Sequence, residues 1–221
     1  SNYSVNYCLL EKVLFQCLDH FKYANKISKE NSLKTWVNTP VRLFRDLKRV
    51  LDDNKIAKNV SLNVTGSNWG LACNFVHYID MIAHLLNDYN VSIHSYNIDC
   101  VPTKREGFVD FIGIIKGNIG DRGSFTLESF DADTRGFVVN IVSDIMHISY
   151  YPLSGKTKVE NFTTKDTENI SFFAMEKQSD LTGAWIANLE TIDPGLSTLE
   201  ESTCIHLPFI NMFLKEYNVN K

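Results

Sequence analysis

The chain has 221 residues, 44% apolar and 22% charged, with 22 Lys and Arg against 26 Asp and Glu for a net charge of −4. That is the composition of a soluble globular protein with room for one large domain or one and a half ordinary ones. It argues against a nucleic-acid surface, because there is no basic run, and against a membrane helix, because no apolar segment approaches the roughly 18 residues a span needs.

Taken in order, Tyr7 to Leu10 is a short apolar run that predicts a strand, ending at the charged pair Glu11-Lys12. Leu14 to Lys29 has helical periodicity, and Leu33 to Val37 predicts a second strand. A strand–helix–strand unit favours parallel pairing. Pro40 breaks the second strand, and Val41 to Leu51 predicts a helix. The polar segment Asp52 to Lys58 is a boundary, after which the texture changes. Val60 to Val64 predicts a strand and Gly70 to Leu86 a helix. From Val91 to Phe162 the runs Val91–Ile98, Phe108–Ile115, Ser124–Phe130, Gly136–Val142 and Ile145–Tyr151 predict strands separated by short turns. Strands in sequence order predict a largely antiparallel sheet. Asp180 to Leu189 and Leu199 to Tyr217 predict helices, the second with Pro208 as a kink or break. The fold class is therefore α+β: a broad, mostly antiparallel mixed sheet with helices on one face, preceded by a β-α-β unit.

Cys8, Cys17, Cys73, Cys100 and Cys204 are odd in number and far apart, with no CxxC. This argues against a disulfide framework and a structural zinc site, and predicts reduced thiols in a cytoplasmic protein. The chain opens at Ser1-Asn2 without methionine, and a strand begins almost at once, so further residues are expected upstream.

The most informative stretch is Gly66 to Leu86, a small polar run that becomes an amphipathic helix. His77, Asp80 and His84 lie three, four and seven residues apart, so they share one face. A polar stripe on a helix of Leu, Ile, Phe, Val and Met either satisfies itself in a core or faces a site. His77 suits proton exchange with a hydroxyl, since an imidazole titrates near neutrality; the competing reading is a core histidine. Lys12 stands at a strand's C-terminal end, where open α/β sheets place ligands; otherwise it is a solvated loop lysine. Asp80 can orient the imidazole or bind a hydroxyl, or simply partner His84. Asn74 both donates and accepts, which suits sugar hydroxyls. Asn68 and Trp69 precede the helix, and the indole either stacks on a sugar ring or anchors the core. Cys73 reads as a packing residue. Lys104 and Arg105 lie in a strand-connecting loop and can meet a diphosphate or carboxylate, or remain solvated. Cys73, His77 and His84 have a spacing open to a metal, but no second ligand cluster accompanies them, so no metal is expected. Arg42 and His206 are minor candidates.

Four segments together resemble the Gfo/Idh/MocA family of NAD(P)-dependent oxidoreductases. Leu10-Glu11-Lys12-Val13 is similar to the family's Glu-Lys-Pro motif, with Val13 in place of proline. Trp36 to Phe44 resembles its final Rossmann strand and a following arginine, here Arg42. Gly66 to Leu86 resembles its glycine-rich entry to a helix carrying His-x-x-Asp, here His77 and Asp80. Leu199 to Phe213 resembles its closing helix. The Asn-Trp-Gly-Leu-Ala-Cys-Asn variant resembles a subgroup associated with bacterial surface-polysaccharide and nucleotide-sugar genes.

The resemblance implies that residues 1–40 are the terminal strand–helix–strand of a dinucleotide-binding domain and 41–221 a substrate-binding and oligomerisation domain. It implies NAD or NADP, held mainly upstream, with Glu11, Lys12 and Arg42 on the cofactor side. It implies Lys12 and His77 as catalytic residues, with Asp80, Asn74, Asn68, Trp69, Lys104 and Arg105 toward a sugar or nucleotide sugar. It also implies a homo-oligomer through the open sheet face, with no nucleic-acid or membrane partner. Two departures stand out. No GxGxxG occurs, and Cys73 occupies the position where the family usually has an aspartate. A chain of this kind alone is expected to be inactive. The alternatives are a non-catalytic binding or assembly module that keeps the fold, and a hydrolase or lyase using His77 and Asp80 without nicotinamide.

Overall fold

The computed structural model describes residues 5–43, 59–131, 136–170, 178–188 and 194–219. β1 (Tyr7–Leu10) and β2 (Lys34–Val37) pair in parallel, Tyr7 opposite Lys34 and Leu10 opposite Val37, with α1 (Leu18–Glu30) as the crossover. Helix α1 begins four residues later than the periodicity predicts, because residues 11–17 are irregular. The Lys12–Val13 peptide is cis. Pro40–Leu43 is a single 3₁₀ turn; the remainder of the expected helix to Leu51 and the boundary Asp52 to Lys58 lie outside the described residues.

The large sheet contains β3 (Val60–Ser67), β4 (Val91–Pro102), β5 (Val109–Ile119), β6 (Gly123–Phe130), β7 (Val138–Ser143), β8 (Met146–Tyr151), β9 (Lys156–Asn161) and β10 (Thr167–Ile170). Its order is β10-β9-β8-β7-β3-β6-β5-β4. Only β3 and β6 pair in parallel; every other neighbour is antiparallel, as consecutive strands with short turns require. The period-two burial of β3 and β6 puts Leu62, Val64, Phe125 and Leu127 beneath the helices, and Asn63, Thr65, Thr126 and Glu128 on the opposite face. Strands β9 and β10 extend the sheet beyond the expected runs. They are short and polar, as sheet margins tolerate, and so carry little apolar alternation.

Helix α2 (Leu71–Leu86) packs on β3, β5 and β6, and is followed in the chain by β4. It is buried on most of its circumference because sheet, 3₁₀ turn and a C-terminal helix all press on it. Gly70 opens it in the left-handed region (φ 77°) and Asn87 (φ 50°) closes it, with Asn87 N–H donating to His84 O and Asp88 N–H to Ala83 O, a Schellman ending.

Helix α3 (Gln178–Asn188) precedes β11 (Ser197–Thr198), which joins the small sheet antiparallel to β2. Helix α4 (Leu199–Val219) follows directly and runs through Pro208 without a break. Its start is a capping box: Glu201 N–H donates to Thr198 Oγ1, and Thr198 N–H donates to Glu201 Oε2. Phe75, Phe209, Phe213 and Phe111 interlock between α2, α4 and β5, with ring centroids 4.1 Å apart for Phe75–Phe209 and 4.7 Å for Phe111–Phe213. This aromatic core fixes α4 against α2 and so sets one wall of the site.

Candidate functional site

The site forms where the C-terminal end of β1 meets the first turns of α2. Lys12 leaves β1 and crosses to the helix, where its Nζ donates to Asn74 Oδ1 at 2.8 Å and to the Cys73 carbonyl at 3.0 Å, and lies 3.3 Å from Cys73 Sγ. Asn74 is oriented from behind, its Nδ2 donating to Trp69 O at 2.7 Å, which leaves Oδ1 for the ammonium. These contacts tie the small sheet to α2 across about sixty residues of chain.

His77 lies one turn further along α2. It is half-buried, and its Nδ1 is sealed without a partner among the described residues. Burial drives its pKa down to about 3, reinforced by Lys12 and then His206, so the ring is neutral at physiological pH. His206, on α4, is fully buried with its ring between Phe21 and Phe75. Its Nδ1 is 2.7 Å from Ser202 O, which makes Nδ1 the donor and leaves Nε2 a buried acceptor without a partner among the described residues. Burial lowers its pKa to about 4; the Ser202 bond opposes that shift and Lys12 adds to it. One ammonium thus acts on two neutral imidazoles brought together from α2 and α4. Glu11 is exposed and accepts from Asn38 Nδ2 at 2.7 Å.

Other expected residues are used elsewhere. Asp80 is fully buried and receives two hydrogen bonds from Arg42, Nε to Oδ2 at 2.6 Å and Nη2 to Oδ1 at 2.5 Å. Its carboxylate is consumed by that guanidinium, so neither substrate binding nor a His77–Asp80 hydrolytic pair fits the geometry. Arg42 is 5% exposed, also faces Glu201 at 3.6 Å and meets His84 Nδ1 at 3.0 Å. It is a buried clamp between the 3₁₀ turn, α2 and α4 rather than a cofactor contact. The Trp69 indole is 9% exposed, stacks on Phe137 and donates to Glu128 O, so it is a core anchor and no sugar platform. Asn68 is exposed in the left-handed region at the helix entry. Lys104 and Arg105 are exposed in the β4–β5 loop, where Arg105 covers the Phe108 ring, and no contact joins them to Lys12 or His77 among the described residues. No group of three metal-ligating side chains occurs among the described residues. Sequence reasoning passed over Cys73 as a partner of Lys12 and ranked His206 low. The only signal for either was position: Cys73 one turn before His77, and His206 on the closing helix.

No family model and no curated protein sequence matches the chain. Solved structures do. The UDP-N-acetylglucosamine 3-dehydrogenase GnnA from Acidithiobacillus ferrooxidans is 8% identical with a TM-score of 0.72, the match covering 96% of this chain and 71% of that one. An oxidoreductase from Agrobacterium radiobacter in complex with NAD+, L-tartaric acid and magnesium is 12% identical, TM-score 0.68, with 96% and 71% covered. The super-repressor mutant of Gal80p from Saccharomyces cerevisiae is 13% identical, TM-score 0.67, with 99% and 72% covered. The chain shares the mixed α+β fold of these proteins.

Proposed function

We propose that this chain is the larger part of a Gfo/Idh/MocA-type oxidoreductase that interconverts a hydroxyl and a ketone on a sugar or nucleotide sugar with NAD or NADP, in surface-polysaccharide biosynthesis. The observation that carries the reading is Lys12 Nζ, held by Asn74 and the Cys73 carbonyl at the C-terminal end of β1, one helical turn from a neutral His77. Residues 1–40 belong on this reading to the nucleotide domain and 41–221 to the substrate domain.

The residues present fit the nicotinamide end of the cofactor. Glu11 and Lys12 stand at the strand's end, and Asn38 Oδ1 is a buried acceptor without a partner among the described residues. The sequence has no glycine-rich turn for the pyrophosphate. The nicotinamide, when bound, exchanges the hydride. The chain's own residues manage the oxygen: Lys12 donates to it and stabilises alkoxide charge, while the neutral His77 ring accepts the hydroxyl proton. His77 is a weak base, so the proton moves to it only as Lys12 draws charge onto the oxygen.

The test joins this chain to a dinucleotide-binding domain and follows nicotinamide absorbance against a panel of nucleotide sugars. We expect turnover that falls by about 10²-fold or more in His77→Ala and is lost in Lys12→Met. Unchanged turnover in both variants overturns the reading. A protein that binds nucleotide sugars without any turnover favours the second reading, a non-catalytic assembly module, which is supported by the likeness to the super-repressor mutant of Gal80p.

A further inference from the structure

Cys73 is exposed, lies in the first turn of α2, and has its Sγ 3.3 Å from Lys12 Nζ. The pair is held by the fold: the same ammonium is anchored to the Cys73 carbonyl and to Asn74 Oδ1. An accessible thiol in a helix's first turn beside a cation is the setting in which peroxide oxidises cysteine to sulfenic acid, and a sulfenic acid with a nitrogen nucleophile in reach condenses to an S–N bond. We propose that Cys73 and Lys12 are a modification site, closing under peroxide into a reversible Sγ–Nζ bridge.

The chemistry balances with peroxide as the only oxidant. The Cys73 thiolate attacks one peroxide oxygen, the O–O bond breaks, and sulfenic acid and water form. The Lys12 ammonium loses a proton to solvent, its nitrogen attacks the sulfur, the S–O bond breaks, and a second water leaves. Sulfur is oxidised by two electrons and peroxide is reduced by two. The bridge turns a charged ammonium into a neutral, covalently tethered nitrogen beside His77. If Lys12 stabilises alkoxide charge as proposed above, closing the bridge switches that site off, and a thiol reductant restores it.

The experiment treats the protein with near-stoichiometric hydrogen peroxide and reads the intact mass, then alkylates the remaining thiols and reads the peptide map. We expect an intact mass lower by about 2 Da, with the Lys12 and Cys73 peptides joined and released by dithiothreitol. A disulfide gives the same mass loss, so the map decides. In Lys12→Arg the joined peptide is absent, and Cys73 carries added oxygen. Cys17 and Cys204 are also exposed, and neither has a lysine in hydrogen-bond contact among the described residues, so they serve as internal controls. The proposal is overturned if Cys73 in the wild-type protein is oxygenated or joined to another cysteine while Lys12 stays free. The readout needs no turnover, so the bridge and the dehydrogenase reading fail or stand separately.

Discussion

His77 and His206 are histidines whose folded-state pKa values, about 3 and about 4, lie well below the free value of 6.5. The unfolded chain therefore takes up these protons first as pH falls. Stability is fully present above about pH 6.5 and is lost as pH drops toward 4, with a slope of about 1.4 kcal/mol per pH unit for each ring. Urea midpoints at pH 7, 5.5 and 4.5 should fall steadily, and His206→Gln should flatten the decline; equal midpoints at all three values contradict the burial of these rings. Asp80 carries a second prediction. Its two bonds to Arg42 are buried, and Asp80→Asn leaves the guanidinium facing Glu201 at 3.6 Å. We expect a loss of about 3–5 kcal/mol in denaturant unfolding. The sequence periodicity placed Asp80 beside His77 on a polar stripe, and that much was legible. What claims Asp80 was not, because Arg42 lies 38 residues earlier and nothing local links the two. For Trp69 the sequence left sugar stacking and core anchoring open; the structure packs its ring against Tyr78 and against Phe137, which comes from beyond β6.

At the scale of elements, the long apolar segments declared themselves. Helices α2 and α4 and strands β3 to β8 follow from periodicity and turn residues, because each buries one face against a large core. Strands β9, β10 and β11 did not, since they are short, polar or both, and are held by neighbouring backbone rather than by their own side chains. The entry to α2 shows how one backbone position serves the candidate site. Gly70 sits at φ 77°, and a Cβ there would lie 2.8 Å from Asn74 Nδ2. Gly70→Ala should cost about 1–2 kcal/mol from the left-handed backbone and push Asn74 off the Lys12 ammonium. Faster labelling of Lys12 by an amine-reactive reagent, read by peptide mapping, would register that release; unchanged labelling would mean Asn74 does not hold Lys12. The capping box at α4 is independent of the site. Thr198→Ala should cost about 1 kcal/mol and leave Lys12 labelling untouched.

For the whole molecule, the face of the large sheet opposite α2 is lined by Asn63, Thr65, Thr126, Glu128 and Asn140 at half-buried positions. On the same face His147 bridges Asn140 and Glu160, and Lys158 pairs with Glu160, so its polar groups are largely satisfied within one chain. The resemblance implies self-association through this face, and its chemistry predicts how that association behaves. Satisfied polar groups can meet a second copy without stranding buried donors, which suits an isologous two-fold contact in which each residue is used twice. Thr126 lies near the middle, opposite Lys116 on β5 and Asn63 on β3. Thr126→Arg adds a cation beside Lys116 on both copies at once, so one substitution doubles its repulsion across the axis. Sedimentation should find a dimer for the unaltered chain and a monomer for Thr126→Arg, with matching circular dichroism. A dimer that survives the substitution would move the contact off this face, and a monomer at high concentration in the unaltered chain would remove it.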